Sequence, residues 1–239
     1  MLWYKGWLET RYRLLFCMGW ATVFLGLMRP WRMAAPAPGA TASGHGAVYG
    51  LVALACPTLL LVACAMIGGS GIVTQPSLQA SKGLHGSTLY TLSLPVSRVR
   101  LLLVRAGVGW LEIVGVAAVL CTTLWALTPA LREAATPREM AEYAVTLIAC
   151  GSTLYGISVL LATFLDDVWR TWGTMMVSAG LWWMSLHVPV PETVNIFRAM
   201  REGSPVLAHT MPWAAMGFSV ALGAALLLAA TRIVQAREY

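Results

Sequence analysis

The sequence predicts an all-α membrane protein with six transmembrane helices. Its 239 residues are 58% hydrophobic and only 11% charged, whereas soluble domains carry about 25% charged residues. The mean hydropathy is +0.70, and the apolar residues are concentrated in six segments separated by polar connections. A membrane is the simplest place for this much apolar surface, so we interpret residues 1–239 as one transmembrane domain.

Five of the six apolar segments reach the length of a spanning helix, which is about 20 residues with a range of roughly 17 to 25. The first segment is shorter, because only 15 residues separate Arg13 from Arg29. Its span requires both arginines to reach toward the interface. A cleaved signal peptide is the alternative, and Arg29 and Arg32 directly after the apolar run argue against it. The predicted spans are 14–28, 47–73, 101–128, 143–165, 168–188 and 213–231.

Residues 1–13 predict a separate helix that lies in the membrane interface. Trp3, Tyr4 and Trp7 share one helical face, while Lys5 lies largely on another. This pattern is typical of a helix in the headgroup region. The alternative is that these residues simply extend the first span.

The connection 74–100 contains Lys, His and Arg but no Asp or Glu. Basic loops mark the cytoplasmic side of a membrane protein, and an even number of spans places both termini on that side, which carries ten of the 16 Lys and Arg residues. We therefore predict a multi-pass protein of the plasma membrane, as in the inner membrane of a bacterium, with cytoplasmic termini. Gly86 and Ser87 can start a short helix that Pro95 ends, and such a helix is a docking element for a soluble partner.

The same loop carries a resemblance to a known family. Its Gly-Ser start at 86–87, the run LSLPVSR at 92–98 and the run LLLVR at 101–105 resemble the permease subunits of type-2 ABC exporters. Segments 5–13 and 164–170 are similar to the N-terminal helix of that family and to its turn between the fourth and fifth spans. Relatives often carry carboxylates just before the Gly-Ser pair. This chain has Lys82 and His85 there, which leaves open which ATPase it binds.

The resemblance implies that the loop contacts a separate ATP-hydrolysing subunit and that a second permease subunit, identical or homologous, completes the transport path. The chain itself has no GxxxxGK loop followed by Ser or Thr, the pattern that cradles nucleotide phosphates. We therefore expect no enzymatic activity, catalytic residue or cofactor in this chain. The implied contacts with the ATPase are Gly86, Ser87, Thr88, Leu89, Leu92, Leu94, Pro95 and Arg98.

Glu112 is the one carboxylate inside a predicted span, and many members of the family carry an acid there. An acid near the membrane midplane costs about 2.5 to 3.5 kcal/mol, so its side chain must face a neighbouring helix or a wet cavity. Two roles remain open. Glu112 either lines the translocation path or makes a structural hydrogen bond to a Ser, Thr or Trp of another helix.

The outer segment 189–212 predicts a pair of short helices. Ile196, Phe197 and Met200 share one face, and the Gly-Ser-Pro run at 203–205 breaks the helical pattern. Permeases of the family resembled here have an element at this position that helps to gate the outer exit. These three residues are therefore candidates for an outer gate, with a plain amphipathic surface helix as the alternative.

Other functional classes are disfavoured by the pattern of the polar residues. The basic residues flank the spans, where they meet lipid headgroups, and no nucleic-acid-binding motif is present. The five cysteines lack CxxC spacing and the four histidines lie in separate segments, so we expect neither disulfides nor a metal site. Two alternatives to the exporter remain: an ion-gradient-driven secondary transporter, which should contain several intramembrane ionisable residues, and a membrane scaffold without transport activity.

Overall fold

A computed structural model describes residues 2–27, 49–68, 97–165 and 167–236. In these ranges the chain is helical and contains no β-strand. A π-helical turn, Leu51–Ala55, leads directly into the second α-helix. The helices are α1 (Leu2–Leu27), α2 (Cys56–Ile67), α3 (Arg98–Leu127), α4 (Pro129–Ala134), α5 (Pro137–Leu161), α6 (Asp167–His187), α7 (Ile196–Met200), α8 (Pro205–Ala208) and α9 (Trp213–Ala236).

Among the described residues, three helices are long and apolar enough to cross a membrane: α3, α5 and α9. They correspond to the third, fourth and sixth predicted spans, so length and composition support three of the six. The remaining segments fall short for separate reasons. The first half of α1 carries charged residues, and the described apolar helix Leu51–Ile67 is shorter. Four tryptophans lower the hydropathy of α6, because each indole has a polar N–H on an apolar ring.

The expected interfacial helix at residues 1–13 is not a separate element. Residues 2–27 form one α-helix without interruption, so residues 2–13 extend the first apolar segment, which was the alternative. No glycine or proline lies between Trp7 and Met18, and helical hydrogen bonding continues wherever no residue interrupts it.

The π-helical turn has a cause in the sequence. The Cys56 amide donates to the Leu51 carbonyl, five residues back, which leaves the Val52 carbonyl to the amide of residue 57 in this register. Residue 57 is proline and has no N–H to donate. The Tyr143 hydroxyl of α5 donates to the Val52 carbonyl at 2.7 Å instead. Tyr143 is completely buried, so this hydrogen bond satisfies a carbonyl that would otherwise be unpaired in the core.

Helix α5 is at the centre of the bundle and packs against α2, α3, α6 and α9. Its contact with α9 depends on small residues, as is common between membrane helices. A Cβ atom on Gly223 would lie 2.7 Å from the Ser152 carbonyl oxygen, and one on Gly156 would lie 3.1 Å from the Gly223 carbonyl oxygen. Ser219 donates to the Cys150 carbonyl at 2.9 Å, so the two helices are joined by a polar contact as well as by close packing.

The start of α5 is fixed by contacts within its first turn. Thr136 is the N-cap residue and Pro137 follows it at the first helical position, where a missing N–H has no cost. The Thr136 hydroxyl accepts from the Glu139 amide at 3.2 Å, and the Glu139 carboxylate accepts from the Thr136 amide at 2.7 Å. This reciprocal pair is a capping box. It begins the long α5 helix, rather than an isolated turn in the connection.

Candidate functional site

Two ends of the bundle bear on function. We call the end that contains Gly68 and Ser97 the loop end, because the segment 69–96 begins and finishes there. The opposite end, which contains α4, α7 and α8, is the far end. The predicted ATPase contacts from Gly86 to Pro95 lie outside the described residues, so their role stays a prediction. Arg98 is the first residue of α3.

The loop end is organised by the C-terminus of α2. The last carbonyls of a helix have no partner within it, and three neighbouring helices supply donors to those of α2. Arg13 of α1 and Arg170 of α6 both donate to the Met66 carbonyl, at 3.2 and 3.3 Å. Ser158 of α5 donates to the Gly68 carbonyl at 3.0 Å. We call these residues, Arg13, Met66, Gly68, Ser158 and Arg170, the α2 cap.

Electrostatics and packing both favour this arrangement. Two guanidinium groups lie at the negative end of the α2 dipole, where cations are stabilised. Arg170 is only 1% exposed, so its contact with the Met66 carbonyl is shielded from water and is stronger than a surface contact. A Cβ atom on Gly68 would lie 2.6 Å from the Ser158 Cβ atom, which explains why glycine is the residue that follows α2.

The start of α3 is fixed on the other side of the 69–96 segment. Ser97 has an extended backbone, and its side chain accepts a hydrogen bond from the Arg100 amide at 3.3 Å. This is the usual N-cap contact. The two residues on either side of the 69–96 segment therefore belong to helix ends that are stabilised by side chains, Gly68 by the α2 cap and Ser97 by its own hydroxyl.

Glu112 lies deep between α3 and α1 and is only 2% exposed. One carboxylate oxygen, Oε1, is hydrogen-bonded to the Thr10 hydroxyl of α1. This contact is of the kind expected if Glu112 has a structural role, namely a hydrogen bond to a threonine of a neighbouring helix. The second oxygen, Oε2, is buried and has no hydrogen-bond partner within the described ranges. Arg13 of the α2 cap lies three residues beyond Thr10, on the same side of α1.

The far end contains the predicted pair of short helices, α7 and α8. Ile196, Phe197 and Met200 of α7 are all buried, and the Phe197 ring packs against Trp182 of α6 with centroids 5.4 Å apart. Asn195 caps α7 by accepting from the Arg198 amide at 3.0 Å. The pair of short helices is confirmed, while its role as a gate remains a prediction.

The polar residues of the far end pair with one another near the surface. Arg198 lies 2.8 Å from the Glu192 carboxylate and 3.7 Å from that of Glu202. His209, which has a left-handed backbone with φ of 52°, places Nδ1 2.7 Å from the Glu139 carboxylate. The His209 contact joins the end of α8 to the capping box of α5.

The predicted candidates thus fall into two groups that do not meet. Glu112 contacts Thr10 of α1 midway along α3, whereas Ile196, Phe197 and Met200 pack at the far end. Sequence reasoning missed the α2 cap. It predicted that Arg13 reaches toward the membrane interface, and the described contacts of Arg13 and Arg170 include the Met66 carbonyl.

No protein-family model matches this chain, and no curated protein or solved structure is similar enough to count as a match. All five cysteines are free and buried. Across the described ranges, no group of three His, Cys, Asp or Glu side chains is arranged to hold a metal ion.

Proposed function

We propose that this chain is the membrane-spanning permease subunit of an ATP-driven ABC exporter. In this proposal six helices cross the plasma membrane and both termini are cytoplasmic. A separate ATPase subunit binds the 74–100 loop, and a second permease subunit, identical or homologous, completes the path. The proposal begins from the resemblance of residues 86–105 to that family.

The α2 cap is the structural observation that carries the proposal. A loop that receives a push from an ATPase can move the bundle only if its ends are attached firmly to the helices. The cap joins the end of α2 to α5 and α6 through the buried donors Ser158 and Arg170 and to α1 through the half-buried Arg13, and Ser97 stabilises the start of α3. A displacement of the loop would therefore be passed to five helices together, because these contacts are costly to break in a dry environment.

Large exposed apolar faces on α1 and α6 support a partner within the membrane. On α6, Met176 is 62% and Trp183 is 60% exposed, and on α1 Leu27 is 68% exposed. Within the described ranges, α1 is covered on one side by α2 and α3, and α6 chiefly by α2 and α5. Apolar faces of this extent require lipid or another apolar surface, and in the proposal the second permease subunit covers part of them.

Cysteine labelling tests the sidedness on which the proposal depends. The five native cysteines are buried, so a single new cysteine can be labelled without removing them. Thr91→Cys places a thiol in the coupling loop, and Ala134→Cys places one on the exposed surface of α4 at the far end. We expect a membrane-impermeant maleimide to label Ala134→Cys on intact cells and to label Thr91→Cys only after permeabilisation. Labelling of Thr91→Cys on intact cells contradicts the proposal.

Co-purification tests the partner. We expect the chain, isolated gently from its native membrane, to bring along an ATPase that carries a phosphate-binding GxxxxGK loop. Ser87→Ala and Arg98→Gln should weaken that association and ATP-dependent transport, whereas Arg138→Gln, on an exposed residue at the far end, should leave both unchanged. If Ser87→Ala and Arg98→Gln both retain the ATPase and transport at the level of the unmodified chain, coupling through this loop is ruled out.

A secondary transporter remains the second candidate because of Glu112. A buried carboxylate oxygen without a partner in the described ranges is a place where a proton can bind, and intramembrane acids often serve proton relays. Glu112→Gln discriminates between the candidates. It should abolish transport driven by a proton gradient, while ATP-driven transport should persist at a reduced rate because glutamine retains the hydrogen bond to Thr10.

A further inference from the structure

An apolar groove runs between α3, α5 and α9 and has a volume of about 340 Å³. Its walls include Leu103 and Trp110 of α3, Val159 of α5, and Val220 and Leu227 of α9. On α3 the lining extends from Leu103 to Trp110, which corresponds to about 10 Å along the helix. The groove is formed entirely by the three helices that are long and apolar enough to cross a membrane, so it faces the hydrocarbon when these helices are in a bilayer.

Close packing of α5 and α9, together with a hydrogen bond from α5 to α3, places the three helices around the groove. The close approach of Gly156 and Gly223 joins α5 to α9. The Tyr155 hydroxyl of α5 donates to the Ala106 carbonyl of α3 at 2.7 Å and keeps α3 near. The small residues Ala106 and Ala224 then leave space beside this contact.

The chemistry of the lining decides what can occupy the groove. The lining is mostly apolar side chains and small residues, and its two hydroxyls donate to backbone carbonyls, Tyr155 to Ala106 and Ser152 to Ala149 at 2.6 Å. A polar ligand would therefore exchange most of its hydration for apolar surface, which is unfavourable. An unbranched apolar chain has no polar hydration to lose, and the burial of its apolar surface is favourable.

The loop end of the groove is basic. Arg100 is exposed and precedes Leu103 by three residues, so it lies one turn beyond the groove on the same side of α3. From Arg98 to Leu111, and throughout α9, the sequence contains no Asp or Glu. An anionic group at the end of the groove would therefore meet Arg100 without a nearby carboxylate on these helices to compete for it.

We propose that this groove binds an acyl chain of an anionic membrane phospholipid, with the net negative headgroup of the lipid beside Arg100. Each cationic residue near a membrane surface contributes modestly to the binding of a lipid with a net negative charge, and a zwitterionic headgroup lacks this contribution because its own cation cancels the charge of the phosphate. The site is independent of any ATPase partner. It would hold equally in a secondary transporter or a scaffold, so its failure and the failure of the proposed function are separate results.

Photochemical cross-linking in vesicles tests this site. The full-length chain is reconstituted with phosphatidylglycerol that carries a diazirine on one acyl chain, or with phosphatidylcholine that carries the same acyl chain. Cross-linked peptides are located by mass spectrometry. We expect the peptides that contain 103–110 and 220–227 to be labelled by the anionic lipid about fivefold more than by the zwitterionic lipid, the ratio that one cation near the surface provides.

Two pairs of variants separate the acyl site from the headgroup site. Ala224→Trp fills the groove and should lower labelling of both peptides severalfold with either lipid. Ala225→Trp, on a neighbouring exposed residue that does not line the groove, should not. Arg100→Gln should bring the ratio between the two lipids to about one, whereas Arg232→Gln, on an exposed residue of α9, should preserve it.

Three results would overturn the proposal. The first is equal labelling of the groove peptides by both lipids in the unmodified chain. The second is an equal loss in Ala224→Trp and Ala225→Trp. The third is the absence of lipid from these peptides, which would mean that the 69–96 segment or a second copy of the chain occupies the groove. Because Arg100→Gln changes only an exposed side chain, the test of the headgroup remains valid even if Ala224→Trp fails to fold.

Discussion

Arg170 at the loop end of the helical bundle and Arg198 at the far end make opposite kinds of contact. At the loop end, Arg170 is buried and donates to the backbone carbonyl of Met66. At the far end, Arg198 is half exposed and pairs with the carboxylates of Glu192 and Glu202. A buried donor that satisfies a carbonyl cannot be replaced by water, whereas an exposed ion pair is easily exchanged for hydration. The loop end is therefore the firmer attachment of the two.

The difference is consistent with a division of labour in the proposed exporter. The α2 cap can transmit a force from the loop to several helices, because all of its contacts must break before the end of α2 separates from them. The far end is held mainly by apolar packing of α7, including Phe197 against Trp182. Apolar packing has no fixed direction, so it permits small displacements of α7. A network of buried hydrogen bonds would resist such displacements.

The largest expected effect is at the loop end. Arg170→Ala should lower the free energy of unfolding by about 3 kcal/mol, because it empties a completely buried site as well as removing a donor. The measurement is denaturant-induced unfolding in mixed micelles. Arg170→Met, which keeps most of the volume, should restore part of the loss and so separate packing from hydrogen bonding.

The control for this comparison is Arg232→Ala, an arginine exposed at the end of α9. We expect a change within about 0.5 kcal/mol there. Similar losses in Arg170→Ala and Arg232→Ala would contradict the view that burial gives the α2 cap its strength.

An intermediate effect is expected where α5 meets the π-helical turn. Tyr143→Phe removes the hydroxyl that donates to the Val52 carbonyl, and Pro57 leaves that carbonyl no amide in this register. The free energy of unfolding should fall by about 1 kcal/mol, the range of a hydrogen bond lost within a membrane bundle. Tyr12→Phe, at a tyrosine that is 67% exposed, is the matched control and should change little. Equal stability of the two variants would mean that the Val52 carbonyl has another donor.

The sequence predicts local features of this fold well. The apolar segments at 101–128, 143–165 and 213–231 correspond to α3, α5 and α9, because a continuous apolar run of this length has few alternatives to a spanning helix. Thr136 and Pro137 mark the start of α5 for an equally local reason, since the capping contacts join residues three apart. Signals within one helical turn are readable without knowledge of the tertiary structure.

The α2 cap could not be predicted in this way. Arg170 and Met66 are 104 residues apart, and no local pattern tells which carbonyl a distant guanidinium will reach. The continuity of α1 was missed for a related reason. The aromatic face of residues 1–13 fits both an interfacial helix and an extended one, and packing against α3 decides between them.

The smallest expected effect is at the far end and completes the comparison. Arg198→Gln should lower the free energy of unfolding by less than about 1 kcal/mol, because its ion pairs are exposed. The difference from the unmodified chain should shrink further at about 1 M salt, where the Debye length is about 3 Å. Arg138→Gln, which breaks the exposed pair with Glu142 on α5, should behave alike. A loss above about 2 kcal/mol in Arg198→Gln alone would mean that ion pairs rather than apolar packing hold α7 in place, and the contrast between the two ends would then disappear.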